Sequence, residues 1–159
     1  MKKIMLTVVP FLLLLVGCTS APEEETSLEI VQVEMQFPEK VDEAEEVVVK
    51  TLVTQGEEKV EDAQEVQIEI WNVEKGKENS QLLDAEHVGD GVYEVKHSFE
   101  VNGVYRVQSH VTARDMHVMP TKQLVVGDLS QEEIDAILES EAEEEAHDGG
   151  DHGDHGNHH

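Results

Sequence analysis

From Leu28 to Gly127 the chain is written in twos. Val31, Val33, Met35 and Phe37 alternate with Gln32, Glu34 and Gln36 ahead of Pro38, and such alternation buries one face of a strand while the other stays wet. Val66, Ile68 and Ile70 repeat the pattern within Glu65–Val73, with Trp71 near its end. Glu46–Thr54 carries Val47, Val48, Val49, Leu52 and Val53, too continuous a run to assign to one face. Gln55-Gly56-Glu57-Glu58 reads as a turn and Lys75–Ser80 as a polar loop, and Leu82–Val88 is a short fourth strand.

Gly91-Val92-Tyr93-Glu94-Val95 is then echoed twelve residues later by Gly103-Val104-Tyr105-Arg106-Val107. Each copy follows a turn signal, Gly89-Asp90-Gly91 or Asn102-Gly103. Val118–Val126 is the last strand and ends at Gly127. Seven strands with turns between them and no helical period predict an all-β fold, an immunoglobulin-like β-sandwich of about seven strands over residues 28–127. A barrel is the alternative.

Outside that region the period is lost or changes. Ser130 with Glu133 forms a capping-box pattern, and Ile134, Ile137 and Leu138 recur at helical spacing. Residues 128–143 are therefore expected to hold a short amphipathic helix, from about Gln131 to Glu143. Residues 144–159 contain Asp, Gly and His but almost no core-forming side chains, and are expected to be a disordered tail.

The N-terminus has a different logic. Met1-Lys2-Lys3 is basic, Ile4–Val16 is mostly apolar, and Leu15-Val16-Gly17-Cys18 has the form of a bacterial lipobox. An apolar run this short suits a signal peptide better than a membrane span of about 20 residues. Residues 1–17 are thus expected to be a lipoprotein signal peptide, and residues 18–27 a lipidated Cys18 with an acidic tether. Acyl chains such as palmitate would hold the protein on the extracytoplasmic face of the cell membrane. Cys18 is the sole cysteine, so the exported domain folds without disulfides.

Charge and motif content narrow the function. Thirty-six acidic against eleven basic residues give a formal charge of −25, which repels nucleic acid and favours cations. There is no Gly-rich phosphate loop, no His-Glu-x-x-His helix and no recognisable serine nucleophile, so an enzyme is not expected. The remaining chemistry is metal binding. His110, Met116, His117 and Met119 fall within ten residues, and imidazole beside thioether sulfur suits copper.

Strand parity places His110 outward with Arg106 and Gln108, opposite to Tyr105, Val107, Ser109 and Val111, and puts His117 on the same face as Met119. If Thr112 pairs with Asp115, around Ala113-Arg114, the two histidines lie opposite each other and Met116 could close over them. A slip of one residue would separate them. In the other reading both methionines pack against the end of the sandwich and the histidines are solvated. His97 shares parity with Tyr93, Val95 and Phe99 and reads as a hydrogen-bonded histidine of the core face, whereas His87 reads as exposed. The tail offers a second candidate in His147, His152, His155, His158 and His159, interleaved with Asp and Gly, for zinc, nickel or copper(II).

Gly91-Val92-Tyr93, Gly103-Val104-Tyr105, His110-Val111, Met116-His117-Val118-Met119-Pro120 and Val125-Val126-Gly127 together resemble the YtkA-like and FixH-like extracytoplasmic domains of bacteria. The likeness is weaker from Leu28 to Val73. It implies a small β-sandwich, as a lipoprotein or membrane-anchored protein, linked to copper handling or respiratory-oxidase assembly. The expected function is accordingly a copper or divalent-metal chaperone, buffer or assembly factor, working with an envelope or respiratory protein partner. The alternative is a non-catalytic interaction module of the envelope, with only the tail binding zinc or nickel.

Overall fold

The computed structural model describes residues 29–148, with the side chains of Glu145, His147 and Asp148 outside the description. The expected signal peptide, Cys18 and the expected tether lie outside these residues, as do the tail histidines from His152 onward. Among the described residues, eleven strands and one helix follow one another. They are β1 (Val31–Gln36), β2 (Lys40–Val41), β3 (Glu46–Gln55), β4 (Glu58–Lys59), β5 (Glu65–Asn72), β6 (Gln81–Asp84), β7 (Glu86–Gly89), β8 (Val92–Ser98), β9 (Gly103–Ala113), β10 (Met116–Val118), β11 (Thr121–Val126) and α1 (Gln131–Asp148). Two 3-10 turns, Val73–Lys75 and Lys77–Asn79, join β5 to β6. No described helix is long and apolar enough to cross a membrane.

The strands form two sheets. One has the order β1-β3-β8-β7, with β4 paired to β3; the other has the order β2-β11-β9-β5-β6, with β10 paired to β9. Antiparallel pairing runs through both, apart from the parallel contact of β2 with β11. The β-sandwich expected from the alternation is what the chain forms, but its strands are more numerous. Leu82–Val88 is not one strand: it breaks at Ala85, so that β6 pairs with β5 in one sheet and β7 with β8 in the other. Val118–Val126 likewise starts earlier, at Met116, and is interrupted at Met119-Pro120, since proline has no N–H to give to a ladder.

The valine-rich β3 resolves its own ambiguity. Val47, Val49, Thr51 and Val53 point inward and are buried, whereas Val48 and Leu52 are half-buried on the other face. Opposite them lie Val66, Ile68 and Ile70 of β5 and Tyr105, Val107, Ser109, Val111 and Ala113 of β9, all buried. Burying each large aliphatic side chain contributes about 1.5–3 kcal/mol. Phe99 anchors one end of this core, packed edge-on to Tyr105 with ring centroids 5.0 Å apart.

The two Gly-Val-Tyr copies have similar physical roles. A Cβ on Gly91 would lie 2.8 Å from the Val53 carbonyl oxygen, and its φ is +70°. At Gly103 a Cβ would run into the side chain of the buried Asn72. The tyrosines that follow close backbone gaps: the Tyr93 hydroxyl donates to the Val60 carbonyl and accepts from the Ala63 N–H, and the Tyr105 hydroxyl donates to the Val101 carbonyl at 2.8 Å.

Helix α1 starts as the capping box predicts. Ser130 Oγ donates to Glu133 at 2.7 Å and accepts from the Glu133 N–H at 3.3 Å. The helix runs to Asp148, five residues beyond the expected Glu143. Ile134, Ile137, Leu138 and Glu141 form its half-buried stripe. Arg106, on the outer face of β9, donates through Nε at 3.1 Å and through Nη2 to the Glu141 carboxylate, which holds the helix to the sheet.

Candidate metal site

Two left-handed residues set the geometry of the hairpin. Arg114 and Asp115 have φ of +51° and +60°, the conformation of a type I′ turn, which matches the twist of the flanking strands. The guanidinium of Arg114 donates to Glu58 at 2.7 Å and Asp62 at 3.1 Å, anchoring the turn to the neighbouring loop. The register is therefore Ala113 with Met116, Thr112 with His117 and Val111 with Val118. The expected pairing of Thr112 with Asp115 around Ala113-Arg114 is corrected by two residues. Ala113 is fully buried and so could not occupy a solvent-facing turn.

A shift of two leaves the faces unchanged. His117 and His110 share the outer face of the sheet as diagonal neighbours, with ring centroids 6.1 Å apart. The same register resumes in β11, where Thr121 pairs with Gln108. Met119 consequently stands opposite His110, and it is half exposed. Met116 is corrected: with Val118 it turns to the inner face and packs against the core cluster of Val111 and Ala113. It cannot close over the histidines from that side.

Each ring has one nitrogen occupied. His110 Nε2 is 2.9 Å from Glu69 Oε2, and His117 Nδ1 is 2.9 Å from Thr112 Oγ1. Nδ1 of His110 and Nε2 of His117 have no partner among the described residues. Glu69 is a diagonal neighbour of His110 across the β5–β9 ladder, whose register sets Gln67 against His110 and Glu69 against Gln108. Its other oxygen accepts from Ser80 Oγ at 2.7 Å, and Lys77 Nζ lies 3.4 Å from Oε2. Burial pushes the Glu69 carboxyl up, but the bonds from Ser80 and His110 and the charge of Lys77 outweigh it, leaving the carboxyl below its usual value. Glu69, Ser80 and Lys77 were not singled out by sequence; only the β5–β9 register connects them to His110.

This donor set fits a soft metal. Ligating histidines commonly give their second ring N–H to a carboxylate or other oxygen, and both rings already have such a neighbour. Among the described residues, no group of three or more His, Cys, Asp and Glu side chains could hold a metal ion. A metal here would therefore need the thioether of Met119 beside the two nitrogens, a combination suited to copper.

The other histidines are placed differently. His87 is exposed and lies beside Tyr93, with ring centroids 4.8 Å apart. His97 is half-buried and packs edge-on to Phe99 at 4.7 Å. Its expected hydrogen bond is replaced by this ring contact. Burial pushes its imidazole below the usual value, with the Glu100 charge pulling the other way. His147 falls in the last turn of α1; His152, His155, His158 and His159 lie outside the described residues.

Comparison with known proteins bears on the family. No curated protein sequence matches the chain at a significant level. Among solved structures, a superoxide reductase (neelaredoxin) from Ignicoccus hospitalis aligns at 13% identity and a TM-score of 0.39, covering 59% of this chain and 79% of that one. A family 76 glycoside hydrolase from a bovine Bacteroides thetaiotaomicron strain aligns at 18% identity and 0.40, covering 60% of this chain and 20% of that one. Similarities this low carry no argument. The sequence profile described as YtkA-like matches residues 25–110. The match takes in both Gly-Val-Tyr copies and ends at His110, so Met116, His117, Met119 and Val125–Gly127 fall beyond it. With more than half of its length matched, the chain belongs to the YtkA-like family.

Proposed function

We propose that this YtkA-like protein is an exported, lipid-anchored metal binder whose domain holds one copper(I) ion through His110 Nδ1, His117 Nε2 and the sulfur of Met119. The observation that carries the reading is the pair of imidazoles 6.1 Å apart on one outer face, each with one nitrogen held and the other open. Copper(I) tolerates two nitrogens and a thioether, whereas a structural zinc site asks for four ligands. The Leu15-Val16-Gly17-Cys18 tetrad supports export and attachment to the membrane through Cys18. The role is non-catalytic: a chaperone, buffer or oxidase-assembly factor that passes copper to an envelope partner, with the tail histidines collecting copper(II), zinc or nickel.

The test is a copper(I) competition titration of a chain carrying Cys18→Ser, with His147, His152, His155, His158 and His159 replaced by alanine. One saturable equivalent is expected, and it should be lost on combining His117→Ala with Met119→Ala. No saturable binding, or binding indifferent to those two changes, sinks the domain site. Metal binding that vanishes with the tail histidines alone makes the tail the only sink.

A further inference from the structure

Glu69 is well placed to decide how His110 presents itself. A carboxylate has no hydrogen to give, so the 2.9 Å contact between Glu69 Oε2 and His110 Nε2 requires Nε2 to be the donor. In the neutral ring the lone pair is then confined to Nδ1. The carboxylate is itself held on both oxygens, by Ser80 Oγ at 2.7 Å on Oε1 and Lys77 Nζ at 3.4 Å on Oε2. Lys77 is fixed in turn by a bond to Gln108 Oε1 at 2.9 Å and by its position over the Trp71 ring, 4.7 Å from the centroid. Gln67, directly across the ladder from His110, is turned away to Asp84 at 2.7 Å. Among the described residues, the acceptor that β5 brings to the ring is Glu69.

We infer that Glu69 is the positioning residue of the rim histidine: it holds His110 in the Nε2–H tautomer, so that Nδ1 is the one nitrogen of that ring open to a ligand. The purpose of this arrangement rests on the copper reading, but the tautomer can be measured without metal. The arm of the 3-10 turns that carries Lys77 and Ser80 thereby acts on the site at one remove, through the carboxylate.

The experiment is a long-range proton–nitrogen correlation spectrum of the nitrogen-labelled full chain above pH 7, with His110 assigned by His110→Gln. The His110 ring should show a protonated Nε2 and an unprotonated Nδ1. Glu69→Leu, which removes the acceptor, should give a mixture of tautomers and weaken copper(I) binding about 10–100-fold. Glu69→Gln keeps an acceptor oxygen at the same reach and should recover most of the bias, which separates positioning from loss of fold. A protonated Nδ1 in the parent protein, or a tautomer unchanged in Glu69→Leu, overturns the inference. If the tautomer depends on Glu69 but copper(I) leaves the ring signals unmoved, the inference stands and the copper reading falls.

Discussion

Thr51 and Ser109 face each other from opposite sheets across the middle of the core, their hydroxyl oxygens 3.4 Å apart and both side chains fully buried. Each is the other's hydroxyl partner, so removing one leaves the other to be desolvated with less compensation. Thr51→Val and Ser109→Ala should each cost about 1–3 kcal/mol, and the double variant clearly less than the sum of the two. Urea titrations of the four proteins check this; strictly additive losses would mean the hydroxyls do not interact.

The hairpin turn predicts a change of opposite sign. Asp115 occupies a left-handed position at the second place of the turn, where glycine fits without a Cβ penalty. Asp115→Gly should raise stability by about 0.5 kcal/mol, the left-handed strain relieved less the entropy glycine adds to the unfolded chain. Asp115→Val, β-branched at the same φ, should lower it by about 1–2 kcal/mol. Thermal midpoints ordered Gly, Asp, Val confirm the turn; the reverse order would favour the Ala113-Arg114 turn instead.

His97 gives the fold an acid-sensitive term. Its imidazole takes up a proton less readily in the folded protein than at the usual 6.5, because burial disfavours the charged ring. The unfolded chain therefore binds the proton first. Stability from this residue is fully present above about pH 6.5 and falls as pH drops from there through the lower folded value. The thermal midpoint of His97→Gln should decline less between pH 7.5 and pH 5.5 than that of the parent. Equal declines would remove His97 as the source.

Helix α1 should be separable from the sandwich. It is held at its middle by Arg106 and Glu141, a pair whose side chains are 27% and 15% exposed. Glu141→Ala removes the carboxylate to which Arg106 Nε and Nη2 donate, a loss of about 1.5–3 kcal/mol for a charged hydrogen bond. Amide exchange should accelerate throughout residues 131–148 while β3 and β9 keep their protection. Faster exchange in β9 as well would show that helix and sheet open together.

Much of this architecture is legible in the sequence, and the exceptions share a cause. Alternation placed the inner residues of β1, β5 and β9, and Ser130 with Glu133 marked the start of α1, because both signals are local. The break at Ala85 has no such mark: Leu82–Val88 reads as one short strand, and only its two different partners divide it. The outward face of His110 could be read from parity. The register of the hairpin could not, since it is fixed by burial of Ala113, Met116 and Val118 and by Arg114 reaching Glu58 and Asp62. Glu69 was hidden for the same reason, lying 41 residues from His110 along the chain and one diagonal away across the ladder.

The passage at Ala85 has a counterpart. Phe37-Pro38-Glu39 carries the chain from β1, at the free edge of one sheet, to β2, at the free edge of the other, just as Ala85 carries it from β6 to β7. Both flanks are thus laced by covalent chain, so the two layers of the sandwich are tied at either side as well as pressed together through the core. Its exposed edges are only two to six residues long, which leaves little template for another chain to extend. The sandwich is finished at its sides, with almost no open ladder left for its own copies to lengthen.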